Sequence, residues 1–592
     1  MILSSLAPEL RRRILLWLNV IMGVMGVLSF AALIIELGFN LSPEAIDILR
    51  SAIDVIIVFF VGQELVRWLF VSEMRKYLRD RWFENLIALL AFYFLVQPAT
   101  AHSLVLTFVP NLSFNQLTLG YLAVTQSTIV ASLLIKAMRF NSMIAKFKLH
   151  PGAIFAISFI LIIVVGTGLL MLPRAGVEQL SFVDALFTST SAVCVTGLIV
   201  VDTAAAFTPL GKTILLGLIQ IGGLGIMTLT TFFALFFSGG ISVRERIMMS
   251  TVISSDNIGE VSGVLIRITI FTVVIEAIGA LFIYFSMGGG ITTFSGETLF
   301  VSIFHSVSAF CNAGFSLYSN GLYEDVVRWN YFHHSIIMVL VVLGGLGVGV
   351  LSDIGRLRPW RKNFGGVHNR LSVYTKLVLY TTAILLLLGM LLVLAMEWNG
   401  AMAGLGTGDK VFQSTFWSVT SRTAGFNIAP VDELGAPVLF VLIMLMWIGA
   451  SPASTGGGVK TTTIAVATLN ILNTIRGKER VEIFGRHIAV ESIRRAFAVV
   501  LLSAFLMGAS CVTLVALEPR LDVVALIFEV VSAMSTVGLS VGITADLSTA
   551  SKALLVLVMF VGRVGILTIL FALMNPAHEA RYKLPEESVM VG

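Results

Sequence analysis

STSAVCVTGL (189–198), SVSAFCNAGF (306–315), SVTSRTAGF (418–426) and VVSAMSTVGL (530–539) are four copies of one pattern. Each is a short run of small, hydroxyl and apolar residues ending in Gly followed by Leu or Phe. The glycines are Gly197, Gly314, Gly425 and Gly538, separated by 117, 111 and 113 residues. A Phe stands ten residues before the Gly in three copies (Phe187, Phe304, Phe528) and nine before it in the other (Phe416). A second element keeps step with the first. The apolar stretch after each run contains IGGLG (221–225), LGGLG (343–347), IGASPASTGGG (448–458) or VGRVG (561–565). The repeating unit is therefore a span, a half-length helix, an extended Gly turn and a Gly-rich span.

The half-length segments are too short to cross a bilayer, which takes roughly 20 apolar residues. Their apolar character still places them at membrane depth, where non-helical backbone is tolerated only against protein or a watery cavity. Four such turns around one axis present rings of backbone carbonyls that can replace the hydration shell of a cation. Gly permits the positive φ that turns successive carbonyls inward. The half-helices end with their partly negative C-termini toward the cavity, which favours cations. An ordinary Gly turn in an extracellular loop explains one copy as well; four evenly spaced copies select the pore.

The rest of the 592 residues supports a membrane setting. Hydrophobic residues make up 57% and charged residues 12%, about half the ~25% charged share of a soluble domain. Mean hydropathy is +0.95. This excludes disordered, collagen-like and ordinary soluble classes. No basic stripe with interleaved aromatics suggests nucleic acid. Cys194, Cys311 and Cys511 form neither a disulfide framework nor a metal motif. Apolar segments recur at about 15–39, 51–71, 84–100, 117–138, 152–172, 209–238, 264–287, 333–352, 373–396, 434–449 with 459–473, 495–516 and 551–574. That is about twelve spans, one of them interrupted. Basic residues mark every second loop, from Arg11–Arg13 through Arg75–Arg81, Lys136–Lys148, Arg244 and Arg246, Arg356–Lys362 and Arg476–Arg495 to Arg581 and Lys583. The positive-inside rule places both termini in the cytoplasm.

Polar residues inside spans stand out. GASPASTGGGVKTTT (449–463) breaks an apolar segment with Pro452 and Gly456–Gly458, which cannot continue a stable helix. Its freed backbone and hydroxyls need water or protein. It reads either as a flexible gate beneath the turns or as a kinked helix in the packed interior. It is not a nucleotide P-loop, because Lys460 follows Val459 rather than Gly. Arg563 sits mid-span, matching Gly223, Gly345 and Ala450 in the other copies. A membrane-centre Arg costs at least ~2.5–3.5 kcal/mol on insertion scales. It either faces a cavity just below the turns, where it would control cation passage and pair with the gate loop, or is a structural Arg neutralised by a nearby carbonyl or carboxylate. Glu276 is also mid-span, with no transport role assigned. His305 and Arg422 flank the turns as braces of the half-helices, and Cys194 and Cys311 read as small packing residues.

The segments RTAGF (422–426), STVGLS (535–540) and GASPASTGGGVKTTT, with the fourfold unit, resemble the Trk/Ktr/HKT superfamily of potassium transporters, and Ktr-type membrane subunits in particular, over about 150–575. The resemblance implies an all-α polytopic membrane protein with four span–pore loop–span repeats in pseudo-fourfold symmetry. The expected organisation is a bundle at 1–150 and repeats at 151–245, 246–368, 369–490 and 491–592. The resemblance implies a potassium filter of Val195, Thr196 and Gly197; Asn312, Ala313 and Gly314; Thr423, Ala424 and Gly425; and Thr536, Val537 and Gly538. Ser at the first filter position accompanies sodium preference in the superfamily; four glycines here favour potassium, with sodium the other candidate. The gate residues are Gly449, Ser451, Pro452, Ser454, Thr455, Gly456, Gly457, Gly458, Lys460 and Arg563. The resemblance also implies a homodimer on a cytosolic nucleotide-binding ring. That ring would hold the regulatory nucleotide, so no organic cofactor is expected in this chain. The basic segments 244–246, 356–370 and 476–495 are its candidate docking surfaces.

Residues 56–95 resemble the second and third helices of voltage-sensor domains through Glu64, Arg67, Arg79, Arg81 and Glu84. The fourth span departs from that pattern, since only Lys136 and Arg139 keep the three-residue charge spacing. Each charge crossing the field yields about 2.3 kcal/mol per 100 mV, so steep voltage gating is not expected. A plain four-helix accessory bundle is the alternative. Eight scattered histidines and no clustered nucleophile or acid–base set argue against an enzyme. A secondary transporter coupling potassium to sodium or protons is the other transport reading.

Overall fold

A computed structural model describes residues 34–70, 151–237, 261–288, 295–356, 371–478 and 480–573, with scattered positions between 17 and 32 and Leu89; at 54, 57, 60, 64, 67, 69, 70, 151, 226–237, 261–267, 356 and 571–573 it describes the backbone alone, so the side chains of Glu64 and Arg67 lie outside the description. The chain forms two compact units, residues 1–147 with 172–179, and residues 148–171 with 180–592. In the first unit the helix Pro43–Phe70 is described without a break in its backbone. It starts eight residues before the expected span at 51, because Ser42 caps it through the Ala45 amide at 3.3 Å and Pro43 suits the first helical turn. Arg50 on this helix meets Glu36 at 3.5 Å. Apart from Leu89, the expected spans 84–100 and 117–138 lie outside the described residues, as do Arg79, Arg81, Glu84, Lys136 and Arg139. So do the basic segments 244–246 and 357–370.

The second unit is built from four like repeats. Repeat one has a first span Pro151–Leu170, a half-helix Phe182–Val193 and a second span Pro209–Phe237. Repeat two has Val261–Ser286, Gly296–Phe310 and the pair Tyr331–Leu346 and Val348–Arg356. Repeat three has Val373–Glu397, Thr407–Thr420 and the pair Ala436–Trp447 and Thr461–Ile475. Repeat four has Val490–Leu517, Val523–Met534 and the pair Thr549–Val564 and Ile566–Leu573. Side-chain caps start three of the half-helices, with Ser181, Ser295 and Asp522 accepting from the amides of Asp184, Thr298 and Ala525. Among the described residues four helices are long and apolar enough to cross a membrane, or five if a bent pair counts as one.

The repeats close into a ring. The second span of each repeat packs on the half-helix of the next, and Thr549–Val564 of repeat four packs on Phe182–Val193 of repeat one. Lys552 binds Asp184 at 2.9 Å across that last junction. Tyr331 donates to Asp409 at 2.6 Å across the junction of repeats two and three.

Small residues let the helices approach. Ser189, Ser306 and Ser418 on the half-helices donate to the carbonyls of Ile163, Glu276 and Leu386 at 2.8, 2.6 and 2.7 Å. Three residues beyond each acceptor stands a glycine, Gly166, Gly279 or Gly389, at which a Cβ would collide with the same serine. Repeat four has Val530 at the serine position and lacks this bond. On the other flank, Gly222, Gly344 and Gly562 lie against the carbonyl oxygens of Val193, Phe310 and Met534, the last residues of the half-helices. Gly-mediated packing of this kind replaces a hydrophobic driving force that lipid cannot supply.

Two expected spans are corrected. The segment 333–352 is not one straight helix; it bends by 98° at Gly347, whose φ is 83°. The segment 551–574 likewise stops at Gly565, φ 88°, and restarts at Ile566. Positive φ ends an α-helix, and Gly alone adopts it without a Cβ penalty. Interruption is thus shared by three second spans rather than confined to the third. The helical architecture also carries one small hairpin, Glu482–Ile483 with Arg486–His487, turning on Phe484 (φ 49°) and Gly485 (φ 75°).

The packing yields a paired stability test. Gly166→Ala must fit a methyl against Ser189 and the Leu218 side chain, an overpacking that costs about 1–3 kcal/mol. Gly168→Ala in the same helix meets nothing within 4 Å and should gain about 0.4–1 kcal/mol. Thermal unfolding of the purified protein should show a lowered midpoint for the first and an equal or raised one for the second. Equal shifts would contradict the close approach.

Candidate functional site

The C-terminal ends of the four half-helices lead into the four Gly turns, and every turn has the same backbone. Two residues before the Gly, a non-Gly residue holds positive φ: Val195 at 55°, Asn312 at 59°, Thr423 at 78° and Thr536 at 50°. The glycines follow at 92°, 70°, 75° and 93° for Gly197, Gly314, Gly425 and Gly538. Thr196, Ala313, Ala424 and Val537 stand between them. Alternation between left-handed and other conformations makes successive carbonyls face one way instead of alternating as in a strand.

The amides of these turns are engaged from behind. In repeat one Val195 donates to Ala192 at 3.2 Å, Thr196 to the Ser191 carbonyl at 2.8 Å and Gly197 to Ser191 Oγ at 3.0 Å. Repeat four repeats this, with Thr536 on Ala533 at 3.1 Å, Val537 on Ser532 at 2.9 Å and Gly538 on Ser532 Oγ at 3.0 Å. In repeats two and three the matching hydroxyls, Ser308 and Thr420, donate to the carbonyls of Phe315 and Phe426 just beyond the Gly, at 2.7 and 2.6 Å. In repeats one and four the turns' donors are thus directed back into the protein.

The glycines close a circle. A Cβ on Gly197 would strike the carbonyl oxygen of Ala313, one on Gly314 that of Ala424, one on Gly425 that of Val537, and one on Gly538 that of Thr196. Each turn therefore touches the next, and the fourth touches the first. Asn312 and Thr423 add a side-chain hydrogen bond between neighbouring turns at 3.1 Å. All four glycines also line the floor of one open cavity of about 330 Å³, whose walls include Asp202, Ser316, Tyr318 and Ser540.

Behind the turns lies the interruption of repeat three. The helix stops at Trp447 and resumes at Thr461. The two ends of the loop pair, with Gly449 donating to Val459 at 3.0 Å, Val459 to Trp447 at 3.1 Å and Ala450 to Gly457 at 3.2 Å. Ser451 and Thr455 donate through their amides to Gly345 and Gly344 at 3.1 and 3.3 Å. Thr455 Oγ1 reaches the Phe310 carbonyl at 3.1 Å. Ser454 closes on the Ser451 carbonyl at 2.6 Å, and Tyr374 donates to Pro452 at 2.9 Å. Gly456 and Gly457 lie directly against the Thr423 and Thr536 hydroxyls, and Gly458 against Gly449. The loop is therefore seated immediately beside two of the four turns.

Two cations accompany it. Lys460 Nζ donates to the Gly456 carbonyl at 2.6 Å. Arg563, 3% exposed, donates one amino group to the Thr455 carbonyl of the loop and the other to the Gly222 carbonyl of repeat one at 2.7 Å. It ties together the second span of repeat four, the loop and the second span of repeat one. Both partners are carbonyl oxygens, and one of them belongs to the interrupting loop, a contact that either reading of Arg563 accommodates.

The remaining polar residues act as struts. Glu276 accepts from the Gln220 amide nitrogen through both carboxylate oxygens, at 3.2 and 3.1 Å, and meets Cys311 Sγ at 3.7 Å, linking repeats one and two. Arg422 reaches the carbonyls of Thr382 and Gly449 at 3.4 and 3.2 Å. His305 contacts Val301 and Ser316 at 2.9 and 3.0 Å. Sequence reasoning missed Glu529, a fully buried carboxylate on the half-helix of repeat four that binds Ser540 and Thr544. Its signal was present: one acid in the apolar run VVALIFEVVSAM, immediately after the aligned Phe528.

Comparison with known proteins agrees with this geometry. The family described as TrkH, a cation transport protein, matches residues 121–580. The Ktr system potassium uptake protein B of Bacillus subtilis (strain 168) is 36% identical over 449 residues, covering 75% of this chain and 97% of that protein. The potassium/sodium uptake protein NtpJ of Enterococcus hirae is 36% identical over 455 residues, covering 75% of this chain and 98% of its own. The crystal structure of the potassium transporter TrkH from Vibrio parahaemolyticus shares the fold at a TM-score of 0.58, with 18% identity and coverage of 83% of this chain and 97% of that one. A match that spans all four repeats, together with relatives aligned over nearly their whole length, assigns this multi-pass membrane protein to the TrkH family of cation transport proteins.

Proposed function

We propose that the chain takes up potassium across the cell membrane through a channel-like pore. The observation that carries this is the closed circle of Gly197, Gly314, Gly425 and Gly538, each in contact with the carbonyl next to its neighbour's glycine. Potassium enters the outer cavity, sheds water onto the filter carbonyls and moves down its electrochemical gradient. The activity is transport, not catalysis. Relatives named for potassium uptake support the choice of ion.

The loop 449–460 is the gate and Arg563 its latch. Seated against Thr423 and Thr536, the loop obstructs the path beyond the filter, and the latch holds it to Gly222. The protein works as a homodimer on a cytosolic nucleotide-binding ring, with both termini cytoplasmic. The basic segment 476–495 offers a docking face, since its hairpin packs Phe484 on Tyr380 at 5.6 Å and leaves Arg486 exposed. The N-terminal bundle serves as a scaffold. A second reading, coupling of potassium to sodium or protons, is favoured by the relative named for both potassium and sodium. It requires saturable, stoichiometric flux, so ion flux against imposed sodium and proton gradients separates the two.

Two variants test the site in cells lacking their own potassium uptake. Gly314→Ser places a side chain at φ 70° against Ala424. It should lower potassium-over-sodium selectivity on the order of tenfold, equivalent to ~1.4 kcal/mol. Unchanged selectivity would remove the filter assignment, and a wild type moving neither ion would remove the transport function. Arg563→Ala removes two charge-assisted hydrogen bonds of about 1.5–3 kcal/mol each and should raise maximal uptake about tenfold or more. Unchanged flux in a folded variant would leave Arg563 a structural strut.

A further inference from the structure

The backbone of the four turns is fourfold, but the side chains that hold their outer lips are not. His305 is fully buried on the half-helix of repeat two, nine residues before Gly314. Its Nδ1 lies 2.9 Å from the Val301 carbonyl, which can only accept, so Nδ1 carries the proton and Nε2 is an acceptor. Nε2 receives the Ser316 hydroxyl at 3.0 Å and the Leu317 amide at 3.4 Å. Ser316 Oγ in turn accepts from the Tyr318 amide at 3.0 Å.

Repeat four rebuilds this arrangement with different chemistry. Glu529, fully buried and nine residues before Gly538, accepts from the hydroxyls of Ser540 and Thr544 and from the backbone of Val541. Ser540 Oγ accepts from the Gly542 amide at 2.8 Å. Ser316 and Ser540 both stand two residues after their glycine, and both line the outer cavity. An imidazole nitrogen and a carboxylate are thus equivalent here, since each receives a hydroxyl and an amide from the segment leaving the filter.

Among the described residues, repeats one and three make no such bond. The residues that follow the aligned Phe are Thr188 and Trp417, and the positions two after the glycines are Ile199 and Asn427. Thr188 Oγ1 and Trp417 Nε1 have no hydrogen-bond partner among the described residues. A Trp nitrogen only donates, so it cannot receive an amide or a hydroxyl.

We propose that His305 and Glu529 are positioning residues for ion selection. They fix the outer lip of the filter on one diagonal, acting through Ser316 and Ser540, while the other diagonal is left without such a brace. This rests on the transport function proposed above. Neither residue touches the ion. Each removes one degree of freedom from a carbonyl ladder that must distinguish potassium from the smaller sodium.

The test is potassium and sodium uptake in cells lacking their own systems, with the amount of protein in the membrane measured for every variant. Ser316→Ala with Ser540→Ala changes only two small hydroxyls. It should raise the potassium KM relative to that for sodium, lowering selectivity on the order of tenfold, with maximal rate little changed. His305→Leu should do likewise, whereas His305→Gln, which keeps an acceptor, should retain most of the selectivity. Thr188→Val should leave it unaltered. Wild-type selectivity in the double serine variant, or equal behaviour of the two His305 variants, would overturn the proposal while leaving the transport function intact. A wild type that moves no potassium would overturn the transport function and this proposal with it.

Discussion

Backbone that leaves the helix at membrane depth must satisfy every donor and acceptor without help from lipid. The rest of this structure follows from how the four turns meet that demand. Their amides bond back to the end of the half-helix that precedes them, through the carbonyls of Ala192, Ser191, Ala533 and Ser532 and the hydroxyls of Ser191 and Ser532. In repeats one and four the turn donors are thereby used up locally. A ring of such turns leaves backbone carbonyls over, the kind of group that can coordinate a cation. It also needs residues at positive φ twice per turn, which is why Val195, Asn312, Thr423 and Thr536 sit in a conformation uncommon for side chains with a Cβ.

Holding that strain requires tight walls. The half-helices are clasped on one side by the first spans, where serines reach into the backbone beside Gly166, Gly279 and Gly389. On the other side Gly222, Gly344 and Gly562 rest against the last carbonyl of each half-helix. Any side chain at these points would separate the wall from the turn it supports. In repeat three the equivalent Gly449 rests instead against Gly457 and Gly458 of its own loop. The wall there is interrupted by the loop, and Arg422 donates to the Gly449 carbonyl beside it.

The turns, the Gly-rich spans, the interruption and Arg563 were legible because each is a departure repeated, or conspicuously not repeated, at a fixed spacing. The bend at Gly347 was not. IGGLG at 221–225 and LGGLG at 343–347 are nearly the same pentapeptide, yet the first lies within a continuous helix and the second ends one. The difference is tertiary: Gly347 lies against the carbonyls of Pro452 and Ala453, and Val348 donates to Ala453 at 3.4 Å. A residue of another repeat decides the outcome, so no local window reveals it. The hydroxyl at Ser191, Ser308, Thr420 and Ser532 was visible in every copy, but its bonding was not. It receives the Gly amide in repeats one and four and donates past the Gly in two and three.

A single chain that encloses a fourfold ring is free to make the four sides unequal, which four identical subunits cannot do. Here the backbone keeps the symmetry and the side chains break it. Arg563 occupies one of four equivalent positions; Gly223, Gly345 and Ala450 occupy the others. One suffices to join the loop to Gly222 and leaves the other walls small. The loop likewise belongs to repeat three and lies against Thr423 and Thr536, the turns of repeats three and four. The ring of turns depends on all four repeats being alike in backbone, and the contact of Arg563 with the loop depends on their being different in side chain; both are met by duplication within one chain.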